Sequence, residues 1–111
     1  MKCQELAERI QQLEPFADDA DVARLCLLIS NAVDSLDDVD PDSELHKLHR
    51  EMGLKMQAAT DQHAAMTEEL EDLANSDPAK FSKEQVWVLI RAIKVQSQIL
   101  QMYIGDAEID V

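Results

Sequence analysis

Apolar residues recur along this chain every three or four positions, the spacing of one face of an α-helix. In the first such stretch, Glu5–Leu13, the positions are Leu6, Ile10 and Leu13, and Pro15 stops the run. Asp18 or Asp19 is placed to cap a second helix, because a short carboxylate accepts from free first-turn N–H groups and suits the positive end of the helix dipole. That helix runs to about Leu36, with Leu25, Leu28, Ile29, Ala32, Val33 and Leu36 on one wide apolar face. Asp37-Asp38-Val39-Asp40-Pro41-Asp42 reads as a turn, and Ser43 as the cap of a third helix.

The pattern of that third helix is the most regular. Leu45, His49, Met52, Met56, Ala59, His63, Met66, Leu70 and Leu73 alternate steps of four and three, a heptad seam that predicts packing against another helix. Asn75-Ser76-Asp77-Pro78 ends it. Ser82 with Gln85 three residues later forms the signature of a capping box, and the final helix runs to about Ile104, with Gly105 where a C-terminal αL cap belongs. No strand-like alternation interrupts the helices. The expected fold is all-α: a coiled-coil-like hairpin over 43–104, extended by helices in 1–42 into a small three- or four-helix bundle. The acidic tail 105–111 closes this single domain.

The final helix carries more apolar surface than one packing partner requires. One stripe is Val86, Leu89, Ile90, Ile93, Leu100 and Ile104; a second is Trp87, Val88, Ala92, Val95, Ile99 and Met102. Two stripes imply burial on two sides, either within a monomeric bundle covered by the N-terminal helices or against another protein. The second stripe is the expected contact surface, with Trp87, Val88, Val95, Ile99 and Met102 as its partner-binding residues. Trp87 leads because tryptophan is over-represented among interface hot spots.

Charge narrows the partner. The formal net charge is −13, and nucleic acids and anionic membranes both require a basic face. Residues 1–44 hold three basic and twelve acidic groups, whereas residues 80–104 hold Lys80, Lys83, Arg91 and Lys94 against Glu84 alone. That asymmetry suits a contact between elements of one chain or between copies of it. The longest strongly apolar run, Leu25–Ile29, is far short of the roughly 20 residues that span a bilayer. Met1–Gln12 does not read as a signal peptide, so the expected location is the cytoplasm, with leaderless export left open.

Chemistry finds little purchase. His49 and His63 share a face with Met56 but lie seven residues from it, two turns or roughly 10 Å of rise, too far for one ion. His46 and His49 are close enough, but two ligands do not make a structural metal site. The acidic run from Asp38 lacks the glycine of a calcium loop. Cys3 and Cys26 suggest no disulfide framework, and no Cys–His, Ser–His or paired-carboxylate arrangement sits on a loop that builds a pocket. The expectation is a protein that is not an enzyme and takes no cofactor, acting on another protein or on further copies of itself.

One stretch resembles a known family. From about Leu54 to Tyr103, a helix, a turn at Asn75-Ser76-Asp77-Pro78, and a second helix with Gln85 near its start and apolar residues interleaved with Gln and Ser are similar in outline to the needle and inner-rod subunits of type III secretion systems. The resemblance implies a secretion-apparatus-like helical subunit. Residues 1–44 have no counterpart in that family, and the end Gly105-Asp106-Ala107-Glu108-Ile109-Asp110-Val111 is acidic where the family is apolar and basic. A small helical secretion chaperone fits those two differences better. A free-standing acidic adaptor or inhibitor that masks a basic surface is the alternative.

Overall fold

The computed structural model describes residues 1–105. They form four α-helices, α1 (Cys3–Leu13), α2 (Asp19–Ala32), α3 (Asp42–Ala74) and α4 (Lys83–Ile104), with short 3-10 turns at Leu36–Val39 and Pro78–Lys80. The fold is all-α, as the periodicity predicts. The molecule is a slab of 55 × 42 × 19 Å, its long dimension set by α3, whose 33 residues make a rod of about 50 Å.

The caps largely match the sequence signals. Asp18 accepts from the Asp21 N–H at 2.8 Å and opens α2. At α4, the Ser82 hydroxyl accepts from the Gln85 N–H at 3.2 Å, while the Gln85 side chain accepts from the Ser82 N–H at 2.8 Å. Gly105 has the expected positive φ of 85°, but its ψ of 177° is extended rather than αL, and its N–H donates to Gln101 O at 2.9 Å.

Two boundaries differ. α2 stops at Ala32 instead of Leu36, and Val33 is extended. Breaking the helix there lets the Leu36–Val39 turn carry Val39 into the core, where it is buried. The Ser35 hydroxyl starts that turn by accepting from the Asp37 N–H. α3 begins two residues early, with Pro41 rather than Ser43 as its N-cap and Ser43 inside the first turn. The Pro41 carbonyl takes the N–H groups of Glu44 and Leu45, both at 3.0 Å.

The core lies at one end. α1 packs on α2, and α2 also meets α3 and α4. Leu6, Ile10, Val22, Leu25, Leu28, Ile29 and Val39 bury together with Leu45 and Met52 of α3. This N-terminal pad covers the first third of α3 and reaches only the last turns of α4, through Met102 and Tyr103. Beyond it the α3–α4 hairpin projects as an arm, where only Leu73 and Ala92 are buried. The α3 seam persists throughout, with His49, Met56, Ala59 and Met66 half-buried and with His63 and Leu70 more open.

Candidate protein-docking face

α4 is fixed at both ends before its faces are assigned. Its N-terminus is held by the Ser82–Gln85 capping box. At its C-terminus, the Asn31 side-chain amide of α2 donates to Met102 O at 3.2 Å and Tyr103 O at 2.7 Å, carbonyls that a helix end leaves without intrahelical partners. The capping box is internal to α4, so of the two it is the Asn31 contact that ties the helix to α2.

The inward side centres on Ala92. Val88, Leu89, Val95, Ile99, Met102 and Tyr103 flank it, all half-buried. Ala92, Val95 and Ile99 face His63, Met66 and Leu70 of α3 across a shallow groove of about 110 Å³. Met102 packs against the pad's core. Thus four of the five residues expected at the partner surface, Val88, Val95, Ile99 and Met102, lie on the side of α4 that turns into its own chain. Trp87 is the exception, at 60% exposed.

The other stripe remains in water. Val86, Ile90, Ile93, Leu100 and Ile104 are exposed, Ile93 at 65% and Ile104 at 73%. Leu89, grouped with them by periodicity, turns partly inward. Covering one such half-exposed aliphatic side chain is worth about 1 kcal/mol, and soluble monomers rarely leave a contiguous apolar patch of this kind uncovered. Lys83, Arg91 and Lys94 sit on the same helix, exposed, and none pairs with a carboxylate among the described residues. The sequence signals both stripes but not their assignment, which depends on how α4 is rotated against α3 and on Asn31.

The pad presents the opposite character. Asp18, Asp19, Asp34, Asp37, Asp38, Asp40, Asp42 and Glu44 are all exposed. Arg9 binds into this cluster, donating to Asp40 Oδ1 at 3.2 Å, Asp40 O at 2.8 Å and Asp42 Oδ1 at 2.7 Å. The Met1 ammonium meets Asp37, a hydrogen bond that holds the Asp37 carboxyl below its usual range and raises the amine. The acidic run from Asp38 is therefore part of a 3-10 turn and a helix start.

The titratable candidates are scattered. His49 contacts Glu14 at 3.1 Å, His46 is exposed, and His63 lines the α3–α4 groove. Among the described residues no group of three or more His, Cys, Asp or Glu side chains could hold a metal ion. Cys3 and Cys26 line an open groove of about 600 Å³ between α1 and α2, and burial, with a smaller contribution from Cys3, pushes the Cys26 thiol up. Among the described residues no helix is long and apolar enough to cross a membrane. The chain matches no family model, no curated protein and no solved structure.

Proposed function

We propose that this protein is a non-enzymatic interaction and assembly module that docks on another protein through the outward face of α4. The observation that carries the reading is the contrast in burial. Leu6, Ile10, Leu28, Ile29 and Leu45 are almost completely buried in the pad, while Val86, Ile90, Ile93, Leu100, Ile104 and Trp87 stand in water along one helix. A chain able to bury aliphatic side chains that well leaves six exposed together where something else covers them. Trp87, also exposed, stands on the adjoining side of α4 and borders this face. The site is cytoplasmic in this reading.

Within that class, the reading is a secretion-apparatus-like helical subunit or small chaperone. It rests on the resemblance carried by the Asn75–Pro78 turn and Gln85, with an arm that projects from an acidic pad. A second reading is favoured by one observation, the exposed carboxylates at 18, 19, 34, 37, 38, 40, 42 and 44: an acidic adaptor that masks a basic surface on its target.

Photo-crosslinking separates the two. A benzophenone side chain placed at Ile93 or at Asp38 in the full chain, expressed in its native cell, reports what each face touches. Adducts from Ile93 alone support docking through α4. Adducts from Asp38 alone, weakened by salt, support the acidic adaptor. Adducts from neither position sink both readings.

A further inference from the structure

We infer that the occupant of the outward face of α4 is a second copy of this chain, with the two α4 helices antiparallel about a two-fold axis that passes between Ile93 and Ser97, at the level of residue 95. The inference rests on the reading of α4 as a docking face and names its partner. A two-fold contact requires a surface complementary to itself when reversed. The seam left in water has that property: Val86, Ile90, Ile93, Ser97, Leu100 and Ile104 are spaced four, three, four, three, four, the same in both directions. With the axis at the level of residue 95, Val86 meets Ile104 of the second copy and Ile90 meets Leu100 of the second copy. Ile93, the bulky side chain at the centre and 65% exposed, stands over Ser97 of the second copy. The one small residue of the seam thus falls where a large one needs room, the knob-into-hole relation of packed helices.

Charge selects the direction. The first half of α4 holds Lys83, Arg91 and Lys94 against Glu84, and the half from Val95 to Ile104 holds no charge. Parallel pairing would set every cation beside its own copy, which is unfavourable for like charges in a contact. Reversal separates the Lys83 pair by about 36 Å and the Arg91 pair by about 12 Å along the axis, at 1.5 Å per residue. It lays the basic half of each helix along the uncharged half of the other, leaving only Lys94 near its copy. The pad does not compete for this seam, because it grips α4 only at its last turns, through Asn31, Met102 and Tyr103. One symmetric contact covers both copies' seams at once, so no second kind of partner is required.

Sedimentation of the full chain from micromolar to submillimolar concentration reads the state directly. The expected result is a monomer–dimer equilibrium that Ile93→Asp weakens about 30-fold or more, the size of an interface hot spot, with unchanged helical circular dichroism. Ser97→Arg, at an exposed polar position where folding is not at issue, does the same. Orientation is read by spin labels in a Cys3→Ser, Cys26→Ser background. Labels at Lys94→Cys, exposed at the rim of the seam, are expected close together, about 3 Å apart along the axis, and labels at Lys83→Cys far apart, about 36 Å. A chain that stays monomeric throughout, a dimer indifferent to both variants, open-ended growth, or Lys83 labels in close contact would each overturn the inference. A monomer whose Ile93 crosslinks to a different protein removes the second copy and leaves the docking face standing. Absence of any crosslink from Ile93 removes the docking face itself.

Discussion

In the pad, Leu6, Ile10, Leu28, Ile29 and Leu45 are sealed by helices and a 3-10 turn converging from several directions. In the arm, side chains of the same kind have one neighbouring helix and open water on the other side, and only Leu73 and Ala92 are buried. The residues of the two regions are equally apolar. What differs is how many elements the topology brings to them. Three short segments, α1, α2 and the Leu36–Val39 turn, fold back onto the first third of α3 and none reaches its distal half. A helix buries an amphipathic stripe only against something, so the pad carries the stability of the monomer and the arm carries uncovered apolar surface.

The largest test of this contrast is a pair of truncations. Leu28→Ala in the pad is expected to destabilise the chain by about 2–5 kcal/mol, the range for emptying a sealed site. Ile93→Ala on the outward face of α4 is expected to stay within about 0.5 kcal/mol of the parent, as a surface substitution does. Thermal and urea melts at a concentration low enough to hold the chain monomeric measure both. Equal losses would show that the two regions do not differ as described.

Hydrogen exchange sharpens the same comparison without mutation. Backbone amides of α2 near Leu28 and Ile29 are expected to exchange only through opening close to global unfolding. Those of α3 from Ala59 to Met66 and of α4 from Val86 to Ala92 are expected to exchange through smaller openings, because few buried contacts must break. At high concentration, protection on the α4 amides is expected to rise if its outward face is covered. Uniform protection along α3 would contradict a weaker arm.

A smaller effect is expected at the hairpin-turn end of the arm. Ser82→Ala removes the hydroxyl that accepts from the Gln85 N–H, and a lost cap of this kind costs about 1 kcal/mol. Since α4 has little tertiary support near Val86, the loss is expected as fraying of its first turn, visible as faster exchange at Gln85–Leu89, with the pad unaffected. Loss of protection at Leu28 in the same variant would show that pad and arm open together.

Much of this architecture was legible in the sequence, and the parts that were hidden have identifiable causes. The α3 seam from Leu45 to Leu73 and the caps at Asp18 and Ser82 are local, period and capping chemistry written within a few residues. The end of α2 was not legible, because no Gly or Pro marks it. It is set by the need to bring Val39 to a core built mostly from distant residues. The faces of α4 were not legible either. Its two stripes are similar in hydrophobicity, and the choice between them is made by the rotation that Asn31 and the α3 surface impose. Hence Val88, Val95, Ile99 and Met102 read as outward from sequence and turn inward in the fold, while Trp87 remains outside.

The smallest expected effect uses Cys26 as a reporter of pad opening. Cys26 is half-buried on α2, and its thiol is raised from the usual value near 9.0, first by burial and then by Cys3. The group favours its neutral form in the folded chain. The stability it adds is fully present below its ordinary pKa near 9 and is lost as pH rises through the higher folded value. Two consequences can be measured by alkylation with iodoacetamide and mass spectrometry. At pH 8, exposed Cys3 is expected to react ahead of Cys26, which holds less thiolate and is less accessible. Leu28→Ala, by loosening the pad, is expected to speed Cys26 while leaving Cys3 nearly unchanged, and Ile93→Ala is expected to move neither. If Cys26 reacts as fast as Cys3 in the parent chain, the groove between α1 and α2 does not shield it. If Ile93→Ala accelerates Cys26, the outward face of α4 supports the pad, and the division between a sealed pad and an uncovered arm fails.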